Sequence, residues 1–257
     1  MNPEAEWDGV LLKALDPRWA ERIIFLEECG STNDEARRMA QDGLSHESLV
    51  LTERQTAGRG RRGQPWTCPA GESIACSLLL RPSDPMVLWS RLSLATGLAV
   101  AEALDRFGLA AEVKWPNDVW VNEHKICGIL VESAEGCVII GIGLNVNTIS
   151  FPDGLAHPAT SIALEAGEPV SREEVLVAIL ERVKFRAGQI STGFPELLTS
   201  WNTRCVLRGR KVKLQTNGVT KTGVMEGLSI NGELLLKTAE GLEKILHADH
   251  IRLVKTT

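Results

Sequence analysis

From Cys205 onward the chain loses every sign of helical spacing and becomes a series of short β-type runs. These are Lys211 to Gln215, Thr220 to Met225, Glu233 to Lys237 and Glu243 to His247, and they are broken by Asn217-Gly218 and Asn231-Gly232. Asn-Gly between alternating runs signals a hairpin, because both residues tolerate the positive φ of a type I′ turn. Residues 204–257 are therefore expected to form a small β-barrel domain, leaving 1–203 as a larger domain that mixes strand and helix periods. A chain of 257 residues accommodates one large core with a small companion.

Within the larger part, Thr32 to Glu35 matches a T-x-x-E capping box that opens a helix stopping at Gly43, which sets Ser31, Thr32 and Asn33 at a helix N-terminus. Ser48 to Thr52 and Ser73 to Leu80 read as strands. Val87 to Phe107 has helical apolar spacing (Leu88, Leu92, Ala95, Ala99, Ala103) and ends at Gly108. Glu112 to Trp115, Val119 to Val121, Ile126 to Ser133 and Cys137 to Leu144 read as strands, the last two joined at Glu135-Gly136. A second capping box, Ser171 to Glu174, opens a helix, and Phe194 to Asn202 forms another. The expected class is α+β, a mixed and mostly antiparallel sheet packed with helices.

Charge and cysteine usage exclude several functions. Lys plus Arg total 28 against 33 Asp plus Glu, a formal charge of −5, which argues against a general nucleic-acid binder. The six cysteines show no C-x-x-C pair or metal-ligand spacing, so neither a zinc site nor a disulfide framework is supported and a reducing cytoplasm is the expected setting. The first residues carry no basic segment followed by an apolar run, and no membrane span is legible.

Three segments carry chemistry. Gln55 to Trp66 (QTAGRGRRGQPW) combines glycines, which let backbone approach a bound group, with three arginines whose planar donors match phosphate oxygens. Alone, it could also be a solvated RNA-binding or targeting patch. Lys114-Trp115-Pro116-Asn117-Asp118, followed by Lys125 to Glu132, places an ammonium beside an internal glycine, Gly128. Asn117 and Asp118 offer oxygens of the kind Mg²⁺ takes when it also holds phosphates. The competing reading makes Lys125 a strand-edge charge and Asp118 a turn residue. Gly141 to Asn147 (GIGLNVN) alternates apolar residues and ends in amides, which alone marks no more than a bulge or strand end. It is not a dinucleotide-binding fingerprint.

In this order, S-T-N, Q-T-A-G-R-G-R-R-G-x-x-W, K-W-P-N-D, H-K-I-C-G-I-L-V-E and G-I-G-L-N-V-N resemble the biotin–protein ligase family, over residues 29 to 147. The β-rich tail is similar to that family's SH3-like C-terminal domain. The resemblance implies the class II synthetase-like biotin/lipoate ligase fold and ATP-dependent activation of biotin as its adenylate. Transfer to one lysine of a biotin carboxyl carrier domain would follow, with Mg²⁺ accompanying ATP. Carried over residue by residue, it implies that Ser31, Thr32, Asn33, Gln55, Arg59, Gly60, Arg61, Lys125 and Gly128 bind biotin. Arg61, Trp66, Asn117, Lys125 and Asn145 would bind the nucleotide, and Asp118 and Asn145 the metal. Lys125, Arg61 and Asp118 would be catalytic, and Gly143 would let backbone approach the ligand.

Only about thirty residues precede the S-T-N motif, so the DNA-binding domain of some family members is not expected, nor is DNA or membrane binding; a monomer and a homodimer are both compatible. The competing enzyme is a lipoate or octanoate ligase or transferase of the same fold; the competing class is a non-catalytic RNA-binding protein.

Overall fold

The computed structural model describes Trp7, residues 22–134 and residues 136–254. The expectations for the remainder of residues 1–21 and for Glu135 lie outside the described residues.

Strands β1 (Ile23–Cys29), β2 (Ser48–Gln55), β3 (Ser73–Leu80), β4 (Glu112–Lys114), β5 (Asp118–Val121), β6 (His124–Ala134) and β7 (Cys137–Asn145) form a seven-stranded sheet in the order β1-β2-β3-β7-β6-β5-β4. Only β1 and β2 are parallel; every other neighbour is antiparallel. β1 was not foreseen. Its Ile24-Phe25-Leu26 run leads into Glu27 and Glu28, and the strand is half exposed at the sheet edge, so it lacks the apolar run that made β3 legible.

The period of two in β7 divides the molecule. Ile140, Ile142 and Leu144 enter the main core with helices α2 (Arg91–Leu104) and α4 (Arg172–Ala187), between which a short helix α3 (Ile162–Ala166) intervenes in sequence. Ile139, Gly141 and Gly143 face the other way, where helix α1 (Thr32–Gln41) sets Ala36 against Val50 and Ile139. α2 lies within the expected span, and Gly108 closes its extension in the left-handed conformation at φ 75°. α4 begins at Ser171, whose hydroxyl accepts from the Glu174 N–H.

α1 departs from its expected cap. Its N-cap is Ser31, one residue earlier than the T-x-x-E pattern placed it, and no side chain caps it. The Thr32 hydroxyl is engaged elsewhere: Ser77 donates to it at 2.8 Å, and the Thr32 backbone N–H donates to Gln55 Oε1 at 2.9 Å. Tertiary partners have replaced the local cap.

After helix α5 (Phe194–Thr203), strands β8 (Lys211–Thr216), β9 (Val219–Leu228), β10 (Leu234–Lys237), β11 (Leu242–Ile245) and β12 (His250–Leu253) form a five-stranded antiparallel sheet, ordered β11-β10-β9-β8-β12. Asn217 (φ 49°) and Gly218 (φ 75°) make the expected turn between Thr216 and Val219. Asn231-Gly232 does not: only Gly232 has positive φ, and the Ser229 hydroxyl accepts from Asn231 and Glu233 N–H groups in a longer loop. β12 was also unforeseen; only Ile251 of its four residues is buried.

The two sheets share one apolar core. Their backbones also join: Val113 of β4 donates to Arg204 O at 2.9 Å and accepts from Val206 N at 3.1 Å, so residues 204–206 line the outer edge of β4.

Candidate active site

The site lies on the α1 face of the large sheet. Regular alternation would put Lys125 and Gly128, three residues apart, on opposite faces. The register shifts between Val119 and Trp120, which pair with Cys127 and Lys125, and this bulge re-aims Lys125. Its ammonium arches over Gly128, within 3.3 Å of where a Cβ there would stand. The backbone of Lys125 is clamped on its other side, its N–H donating to Pro158 O at 2.8 Å and its carbonyl accepting from Thr160 at 3.0 Å. Lys125 Nζ pairs with Asp118 at 2.7 Å. Asn117, next along, is fixed to β6 by Nδ2 donating to Ile129 O at 2.7 Å.

Gly128 and Gly143 are cross-strand partners, and together they floor a slot that Trp66 fills. A Cβ on Gly143 would overlap the indole at Cε2 and Nε1. Trp66 Nε1 is buried there without a hydrogen-bond partner among the described residues. Lys125 Nζ is 5.5 Å from the ring centroid.

Trp66 arrives on the arginine loop, which is a small hairpin. Trp66 donates to Gly58 O at 2.9 Å, Gly60 donates to Gln64 O at 2.7 Å, and Arg59 bridges Pro65. The three arginines, indistinguishable in sequence, part company. Arg59 pairs with Asp34 and with Glu132 (3.2 Å), and the Asp34 hydrogen bond raises its pKa further. Arg62 pairs with Asp249. Arg61 makes no carboxylate ion pair among the described residues; its Nη1 donates to Asn117 Oδ1 at 3.5 Å. Burial, with Arg62 adding repulsion, pushes its pKa down.

The other end of the site is net neutral, built of amides and hydroxyls that reach Glu132, whose charge Arg59 and Arg37 balance. Asn33 fits only because Gly141 lacks a Cβ, which would overlap the amide. Its Nδ2 donates to Glu132 at 2.7 Å, and its Oδ1 accepts from Ser77 at 2.6 Å. The single Ser77 proton is shared between Asn33 Oδ1 and Thr32 Oγ1. Gln55 Oε1 takes the Thr32 N–H, and Ser31, Thr32 and Asn33 are buried.

The structure thus brings Thr32, Asn33 and Gln55 into one network through Ser77, with Ser31 buried next to them outside it, and gathers Lys125, Asp118, Asn117, Gly128, Gly143, Arg61 and Trp66 beside it. Gly60 lies in the hairpin with no close neighbour to a Cβ but Gln64 O at 3.7 Å. Asn145 is separate in its bonding, donating to Thr160 O at 3.0 Å. Sequence reasoning gave no role to Ser77, Asp34 and Glu132. Ser77 was visible as the hydroxyl inside an apolar strand, and Glu132 as the charge ending a β-run. It also gave none to Lys114, which is buried against Trp120 with Nζ 3.3 Å from His157 Nε2. Burial lowers Lys114 to about 8, and burial with the Lys114 charge lowers His157 to about 4. Among the described residues no three His, Cys, Asp or Glu gather as metal ligands.

Buried polar residues over a glycine floor, a lysine and an arginine-bearing hairpin define a ligand site built to hold and activate an anionic group. The Biotin/lipoate A/B protein ligase family model matches residues 27–147, and the Biotin protein ligase C terminal domain model matches residues 208–249. A biotin–[acetyl-CoA-carboxylase] ligase of Paracoccus denitrificans is 35% identical, covering 88% of this chain and 98% of its own. A bifunctional ligase/repressor of Bacillus spizizenii is 36% identical over 89% of this chain and 73% of its own. The biotin protein ligase of Aquifex aeolicus, solved with biotin and ATP, superposes with a TM-score of 0.82 at 32% identity, over 91% of this chain and 100% of that one. The chain belongs to the biotin–protein ligase family.

Proposed function

We propose that this protein condenses biotin with ATP to biotinyl-5′-AMP, releasing pyrophosphate, and passes the biotinyl group to a lysine of a biotin carboxyl carrier domain, releasing AMP. The observation that carries the reading is the convergence of Lys125, bulged over Gly128, with Arg61, which makes no carboxylate ion pair among the described residues, beside the glycine floor that Trp66 covers.

The biotin carboxylate oxygen attacks the α-phosphorus and the bond to pyrophosphate breaks. Negative charge grows on the phosphate oxygens, and the Lys125 ammonium and Arg61 guanidinium stabilise it in a site sheltered from water. Ser31, Thr32, Asn33 and Gln55 hold the ureido end of biotin, the last three exchanging hydrogen bonds of their network for bonds to the ligand. Arg59 and Gly60 shape the loop over the adenylate. The orphaned Trp66 N–H is a donor that a ligand would satisfy. In the second step the carrier amine attacks the acyl carbonyl, and AMP leaves as the anhydride bond breaks. Closure of residues 54 to 66 keeps the anhydride from hydrolysis.

Mg²⁺ is a fit for this donor set as an ion that travels with the nucleotide, since it uses one or two carboxylates and leaves the rest to phosphates and water. Asp118 would be its carboxylate, with Asn145 and Asn117 as neighbouring amides, and it would offset phosphate charge. Residues 1–203 form the catalytic domain and 204–257 the SH3-like domain of a cytoplasmic enzyme.

The test is a competition: protein, ATP, Mg²⁺, a carrier domain and equal biotin and lipoate, with the acceptor weighed by mass spectrometry. A biotinyl increment is expected. A lipoyl increment, or no pyrophosphate released with biotin present, would reject the assignment.

A further inference from the structure

Arg62 and Arg61 are adjacent, yet they point to different parts of the molecule. Arg62 has φ 57° and ψ 30° at the hairpin tip, the left-handed region, which costs a non-glycine residue roughly 1–2 kcal/mol. That turn sends its side chain away from Arg61 and onto Asp249. Asp249 belongs to the C-terminal sheet, between β11 and β12, and its own N–H donates to Gln215 O of β8 at 2.7 Å. That sheet is fixed to the large one by the common core, by the Val113 hydrogen bonds and by Arg210–Glu123 at 2.8 Å. The hairpin therefore has two moorings: Arg59 to Asp34 and Glu132 at its base, and Arg62 to a rigid strut at its tip.

We infer that Asp249 is a positioning residue of the second sheet, one that clasps Arg62 and so holds the arginine hairpin over the site with Arg61 turned inward. The role in retaining the adenylate rests on the function proposed above; the clasp itself does not. It gives the small sheet a part in the reaction through the loop that it holds.

The experiment compares Asp249→Asn, Arg62→Glu, Asp249→Arg and the double variant Arg62→Glu/Asp249→Arg with the unaltered chain. Amide hydrogen exchange of residues 58–66 is read without ligand, and release of biotinyl-5′-AMP is read after biotin and ATP are supplied. With one side chain half exposed, the pair is worth no more than a strong surface ion pair, so Asp249→Asn should speed both by roughly fivefold. The double variant should recover most of the loss that each charge reversal causes. Exchange across β8 to β12 should stay unchanged.

Loop exchange in Asp249→Asn equal to that of the parent would overturn the clasp. So would a double variant no better than its singles, or acceleration spread through the C-terminal sheet, which would mean that Asp249 only holds its own strands. A parent chain that forms no adenylate would reject the proposed function, while the ligand-free exchange would still decide the clasp.

Discussion

The two ends of the site satisfy their polar groups in opposite ways. At the neutral end Thr32, Asn33, Gln55, Ser77 and Glu132 bond to one another, so the wall stands ready-made. At the charged end, among the described residues, Arg61 has no carboxylate partner and Trp66 Nε1 has no hydrogen-bond partner. A self-satisfied network specifies shape at little cost to stability, whereas unspent donors await charge that only a ligand brings. Recognition and chemistry are thus separated along one sheet face.

If that contrast is right, losses at the charged end should fall on rate and losses at the neutral end on stability. The largest effect is expected for Lys125→Ala: adenylate formation, followed by biotin-dependent pyrophosphate exchange, should fall about 10²–10³-fold with the thermal midpoint little changed. Near-normal turnover would remove Lys125 from the mechanism. Asn33→Ala should behave in the opposite sense, stranding Ser77 and Glu132 and destabilising the fold by about 1–3 kcal/mol in chemical denaturation, with biotin KM raised more than kcat is lowered. A stable Asn33→Ala chain would show that the network is not shared structure.

Gly143→Ala probes the boundary between the two ends. The new methyl group would displace Trp66, at about 1–2 kcal/mol for overpacking, and should shift tryptophan fluorescence and weaken ligand binding about tenfold. An unshifted emission would place the indole elsewhere.

The smallest effect concerns pH. His157 falls from 6.5 to about 4 in the fold, so the unfolded chain binds the extra proton first. Stability is fully present above about 6.5 and is lost as pH falls towards 4. After discounting for solvent access this amounts to about 1 kcal/mol, or about 2–4 °C more loss of thermal midpoint than in His157→Asn. Parallel pH profiles for the two chains would rule the titration out.

Periodicity alone made much of the fold legible. β3 and β7 were readable because burial on both faces, or on one, writes apolar runs, and Ser171 because its cap is local. β1 and β12 were not, since edge strands need few buried residues. Thr32 misled for the same reason that it matters: its hydroxyl and N–H are claimed by Ser77 and Gln55, which lie 45 and 23 residues away. The glycine spacing in Gly141-Ile142-Gly143 could be seen but not interpreted. Only the structure pairs one glycine with Asn33 and the other with Trp66. Likewise the residue pattern by itself offers three equal arginines; the family resemblance singled out Arg59 and Arg61, and the tertiary neighbours add the partner of Arg62.

The short stretch from Arg204 to Val206 has a consequence for how the molecule survives at high concentration. By binding the rim of β4 it hides a ladder that would otherwise be open to any passing extended segment. A fragment cut at Thr203 would lose more than a companion module: it would bare a sticky margin and part of the shared interior at once, inviting copies to stack edge to edge.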